Sequence, residues 1–149
     1  MKKLTLSTAV ALLAVTGVAV AAGYRTGKYE QGTQSGFKAP GIRIDIYRGS
    51  FNVERILMHE TCSAPGHPTF HDYGGFQQGG IEMLQGPIRP SGAFSGIWHD
   101  GHGGFSKVTG QISGQTLTVS GTESSHYTPS GSKVSYSCHA TGTFHPTRV

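Results

Sequence analysis

A chain of 149 residues is one ordinary domain in length, and this one carries 12 Lys plus Arg, 8 Asp plus Glu, 8 His and 23 Gly. Its hydrophobic residues, 36% of the total, fall in regular short bursts, which excludes a disordered chain and a polytopic membrane protein. A Gly-rich composition with only 13% charged residues and β-branched bursts disfavours a coiled coil or helical bundle and favours an all-β domain.

The first 22 residues predict an export signal. Lys2 and Lys3 supply positive charge, Leu4 to Val20 is apolar apart from small Thr, Ser and Gly residues, and Ala19-Val20-Ala21 fits the small-x-small rule for signal peptidase. A retained anchor is disfavoured because Thr5, Ser7, Thr8 and Thr16 interrupt a stretch already short of the roughly 20 residues that span about 30 Å of hydrocarbon. No Cys precedes Cys62, against a lipoprotein, and no twin-Arg pair is present, so a Sec-type route to the periplasm or the exterior is expected. Removal of residues 1–22 leaves 127 residues without a transmembrane segment, and losing Lys2 and Lys3 lowers the formal charge from +4 to +2. The remaining basic residues, Arg25, Lys28, Arg43 and Arg55 among them, are scattered, so no stripe for nucleic acid is expected.

A first strand is predicted near Gly27 to Gln34. Ile42-Arg43-Ile44-Asp45-Ile46 alternates strictly, with three isoleucines on one face, as a half-buried strand requires. Arg48-Gly49-Ser50 turns the chain into Phe51 to Cys62, where the apolar phase slips between Val53 and Ile56, and a bulge near Glu54 or Arg55 would reconcile the two halves. The segment 63–80 is rich in Gly and Pro and is read as a long loop, the sort of segment that often carries function. Its Phe70, Tyr73 and Phe76, together with Trp98, are the candidate contacts for a ligand or partner.

Further strands are predicted at Ile81 to Leu84 and Ala93 to Trp98. Trp98 leads into a Gly-rich turn containing His99, Asp100 and His102, which with His67 and His71 forms the candidate ligand set for Zn, Cu or Ni. Against it, Pro65, Gly66 and Pro68 deny His67 and His71 the helix that would put them on one face, and Asp with Gly is also what an ordinary turn requires. Phe105 to Ser113 and Thr116 to Thr122 flank the turn Ser113-Gly114-Gln115, and Val134 to His145 keeps a period of two over 12 residues. On that strand Cys138 shares the apolar face with Tyr136 and Ala140. Cys62 and Cys138, an even pair in an oxidising compartment, are expected to form a disulfide worth roughly 4 to 5 kcal/mol by loop closure.

About eight antiparallel strands, paired in sequence, point to an up-and-down barrel or barrel-like roll, with a two-sheet sandwich as the alternative. No GxSxG elbow, HExxH, Walker loop or GxGxxG is present, so catalysis is not expected. The chain therefore reads as a small exported β-domain, residues 23–149, acting as a binding or interaction module for a small ligand or a protein, with no cofactor required. Two alternatives are a His-mediated transition-metal binder and a structural envelope or surface component. Eight His equal the acidic count, so mild acid would carry the charge from +2 toward +10.

Overall fold

The computed structural model describes residues 25–32, 40–47, 49–79 and 83–149. The expected leader, 1–22, and residues 81 and 82 of the strand expected at 81–84 lie outside the described residues. The fold is all-β: β1 (Gly27–Gln31), β2 (Gly41–Tyr47), β3 (Ser50–Ser63), β4 (Phe70–Gln77), β5 (Leu84–Pro87), β6 (Ala93–His99), β7 (Phe105–Ser113), β8 (Thr116–Tyr127), β9 (Tyr136–Phe144) and β10 (Thr147–Arg148). Among the described residues no helix is long and apolar enough to cross a membrane.

All ten strands join one antiparallel sheet, in the order β10-β1-β2-β3-β9-β8-β7-β6, with β4 and β5 also paired to β3. Neighbours in sequence pair from β1 to β4 and from β6 to β9, as hairpin logic predicts. A simple up-and-down meander does not result, because β3 is long enough to serve four partners. It pairs β2 along Ser50 to Leu57 and β9 along Glu60 to Ser63, and it also pairs β5 along Ser50 to Val53 and β4 along Arg55 to Cys62. The ladders do not close into a barrel: among the described residues β5 and β6 share no ladder, and an isolated bridge joins Ile88, just past β5, to Phe94.

The core follows the alternation. Ile42, Ile44 and Ile46 on β2 are buried, and each such side chain removed from water is worth about 1.5 to 3 kcal/mol. On β3 the buried parity runs Phe51, Val53 and then Ile56, Met58, and the change of phase is accommodated by a bulge in which Ile44 pairs Val53, Arg43 pairs Arg55 and Glu54 is the extra residue. Glu54 thereby stays outside, where Oε1 lies 2.7 Å from Lys28 Nζ and Oε2 lies 3.7 Å from Arg43 Nε. The β7–β8 hairpin pairs Ser113 with Thr116 around Gly114 at φ 60°, a tight connection that favours glycine.

Two expectations need correction. The long loop expected at 63–80 holds a strand: β4 takes Phe70–Gln77, which leaves irregular chain at Ala64 to Thr69 and at Gln78 and Gly79, with Gly80 outside the described residues. Gly74 and Gly75, which suggested a loop, instead let β4 approach β3 closely. A Cβ on Gly75 would run into the Ile56 carbonyl oxygen, so the ladder needs glycine there. Ten strands also replace the expected eight, since Thr147–Arg148 adds a short edge against β1.

Candidate functional site

The inner face of β3, β4, β8 and β9 changes character layer by layer. At the apolar level Met58 pairs Gly74 across β3 and β4 and Gly121 pairs Gly142 across β8 and β9, the small residues leaving room for the Met58 side chain. One layer outward, Glu60 pairs both Asp72 and Ala140, and Glu123 pairs the other edge of Ala140. The next layer holds Cys62 opposite Phe70 and Cys138, with Ser125 opposite Cys138. The last is aromatic, with Tyr127 opposite Tyr136.

The two glutamates thus sit at positions whose parity is otherwise apolar, and both are only 9% exposed. Their carboxylates meet against the glycine of β4: the point a Cβ on Gly74 would occupy is 2.6 Å from Glu60 Oε1 and 2.7 Å from Glu123 Oε2, closer than any side chain could stand. Glu60 Oε1 accepts a hydrogen bond from Ser125 Oγ at 3.0 Å, whereas Glu123 Oε2 is buried with no hydrogen-bond partner. Burial first, then the charges of Glu60 and Asp100, pushes the Glu123 carboxyl up to about 7.

These side chains open on a cleft of about 390 Å³ whose lining includes Phe70, Asp72, Tyr73, His126 and Tyr127 but no Lys or Arg. The aromatic rim is interlocked, with Phe70 edge-on to Tyr136 at 5.0 Å and to Tyr127 at 6.0 Å between ring centroids. Beneath it the Cys62–Cys138 disulfide crosses between paired residues of β3 and β9, with Cα atoms 4.0 Å apart and a sequence separation of 76. The expected staple therefore lies in the wall of the cleft and fixes the strand register there.

The sequence-predicted contacts divide between two places. Phe70 and Tyr73 line the cleft, while Phe76 is buried in the core with Trp98 packed against it at 5.5 Å. The five predicted metal ligands stay apart from one another in the sense that matters for coordination. Among the described residues the only three potential ligand atoms within 4.8 Å of each other belong to Glu60, Cys62 and Cys138, and the two sulfurs are bonded to each other. His71 Nδ1 meets Thr61 Oγ1 at 3.1 Å, His67 stacks edge-on to Tyr136, and His99 packs near Phe105. Asp100 organises its own turn, accepting from the His102 amide at 2.7 Å and the Gly104 amide at 2.8 Å, and these two bonds, His102 first, hold its carboxyl below the ordinary range.

Glu60 and Glu123 were not among the predicted site residues, although the signal for both is in the sequence. Glu60 shares parity with Ile56, Met58 and Cys62, and Glu123 with Leu117, Val119 and Gly121. An acid on the apolar side of a strand is the anomaly that points to a buried site. A second cleft, of about 410 Å³, lies at the opposite end of β8 and β9 and is lined by Arg25, His145 and Arg148 around Tyr29 and Leu117. Its charged groups are exposed, and none of its lining residues carries an orphaned buried polar atom. No family model, no curated protein and no solved structure matches the chain.

Proposed function

We propose that this protein is an exported β-domain, rolled toward a barrel, that binds a small ligand in the acidic cleft between β4 and β8. The observation that carries the reading is a pair of buried carboxylates, one oxygen of which has no hydrogen-bond partner, meeting at Gly74 in the wall of a cleft with an aromatic rim. Buried polar groups are nearly always satisfied in folded proteins, so an orphaned one facing a cleft marks a contact that a ligand completes. The disulfide and the signal-like leader support an oxidising destination beyond the cytoplasm. The scattered basic residues give no support to a nucleic-acid partner. The test is a fragment screen on isotopically labelled mature protein, read by amide chemical shifts. Hits that shift Phe70, Ser125 and Tyr127 support the reading, and hits that cluster elsewhere, or no hits at all, overturn it.

The same pair favours a second reading, as acid and base. A carboxyl held near pH 7 by burial beside a second carboxylate is the arrangement acid–base hydrolases use. Turnover of chromogenic aryl glycosides, absent in Glu123→Gln, supports it; rates equal in the two proteins retire it.

A further inference from the structure

We propose that the acidic cleft takes an organic ammonium ion: Glu60 and Glu123 receive the charged head of a primary amine, Ser125 accepts its third N–H, and Phe70 and Tyr127 cover its hydrocarbon part. The inference rests on the cleft being a ligand site and adds the chemistry of the ligand.

Three observations converge on a cation. Glu123 is nine-tenths buried, its Oε2 has no hydrogen-bond partner, and that oxygen meets Glu60 Oε1 against Gly74 in the wall of the cleft. The charge there has one sign. Glu60 from β3 and Asp100 from the β6–β7 turn act on Glu123, Asp72 from β4 pairs Glu60, β7 places the uncharged Ser106 opposite Glu123, β9 offers only Ala140, and His126 is the one basic side chain in the lining. The chain as a whole is net cationic, so this acidity is local and without a protein counter-ion in the lining.

The donor set discriminates between cations. Zinc sites require about four N, S or O ligands and calcium six to eight oxygens, whereas only two carboxylates converge here and the nearby sulfurs are spent in the disulfide. An alkylammonium carries three N–H donors and no acceptor, which two carboxylates and a serine hydroxyl can saturate. Aromatic faces at the rim suit both the methylenes and the charge of such a ligand. A neutral polyol would satisfy the acceptors but leave the buried charge uncompensated.

The experiment is calorimetric titration of the folded mature protein with 1,5-diaminopentane, 1,5-pentanediol and Ca²⁺ at pH 6 and pH 8. The diamine is expected to bind about tenfold more tightly at pH 8, with a buffer-dependent heat at pH 6 reporting loss of the Glu123 proton, while the diol and calcium give no signal. Glu123→Gln is expected to weaken binding and abolish the pH dependence, and His126→Asn to retain it. Gly74→Ala, whose Cβ would collide with both oxygens and push the carboxylates apart, is the second variant should Glu123→Gln fail to fold, and it too is expected to block the diamine. If the diol or calcium binds as well as the diamine and Gly74→Ala blocks it, the ammonium inference falls while the cleft remains a ligand site. Diamine binding unchanged in Glu123→Gln and Gly74→Ala overturns both, as does the absence of binding by every probe together with an empty fragment screen.

Discussion

β8 and β9 carry a cleft at each end, and the two are built on opposite principles. At the Thr116 end of β8, Arg25, His145 and Arg148 surround a cleft of about 410 Å³, with every one of the three charged or chargeable groups exposed to solvent. At the Tyr127 end the volume is similar, about 390 Å³, but the charged groups Glu60 and Glu123 are 9% exposed and one oxygen has no partner. Volume therefore does not distinguish the two ends, and desolvation does. An exposed charge keeps its hydration and costs little wherever it stands, while a buried unpaired carboxylate is destabilising and persists only if something offsets it. At the acidic end the offset includes a disulfide, an interlocked aromatic rim and the Ser125 hydrogen bond. At the basic end the contacts are lighter, as where Thr118 Oγ1 meets His145 Nδ1 at 3.2 Å.

The largest way to break this contrast is to remove the staple. A Cys62→Ala, Cys138→Ala double variant is expected to lose roughly 4 to 5 kcal/mol of unfolding free energy, the loop-closure value for a separation of 76 residues. Urea denaturation of oxidised wild type against the variant measures it. Because β3 and β9 pair over only four residues around Cys62 and Cys138, the effect should also be local. Amide exchange is expected to rise first at Glu60 to Ser63 and Ser137 to Ala140, and uniform exchange across the sheet would show that the acidic end has no special dependence on the bridge.

The next effect comes from Glu123 itself. Its carboxyl is pushed up to about 7 in the folded protein against an ordinary 4.5 in the unfolded chain, so the folded state binds the proton more tightly. The contribution to stability is then most favourable below pH 4.5 and is lost as pH rises through 7. The loss is on the order of 2 to 3 kcal/mol, after allowance for residual solvent around the group. Wild type minus Glu123→Gln, measured by denaturation from pH 4 to pH 8.5, isolates it from other titrations. The difference should shift against the wild type across that window, and a flat difference would mean that the carboxyl is solvated after all.

Much of the fold was legible because strand alternation is a direct consequence of backbone geometry. The isoleucines of β2 and the phase slip of β3 at Glu54 follow from which parity is apolar, and the pairing of Cys62 with Cys138 follows from their being an even pair in a chain read as exported. β4 was hidden because its inner positions include Gly74 and Asp72, so the period-two signal disappears where the strand is most tightly packed against β3. The connectivity was hidden for a different reason: only the three-dimensional course of β3 reveals that one strand has four partners. The site was half legible. Phe70 and Tyr73 stand out as aromatics in a Gly-rich segment, but Glu60 and Glu123 are 63 positions apart and meet only through Ala140, to which both are paired.

The smallest expected effect belongs to the basic end and completes the comparison. Arg148 sits on β10, a two-residue strand at the sheet edge, and is exposed. Arg148→Ala is expected to change unfolding free energy by no more than about 0.5 kcal/mol, since surface charges contribute little once hydration and side-chain entropy are counted. Raising salt from 50 mM to 500 mM should leave the difference near zero, as screening has little left to remove. A loss of 2 kcal/mol or more would show that the basic cleft holds its charge under strain as the acidic cleft does. The asymmetry between the two ends would then no longer single out Glu60 and Glu123.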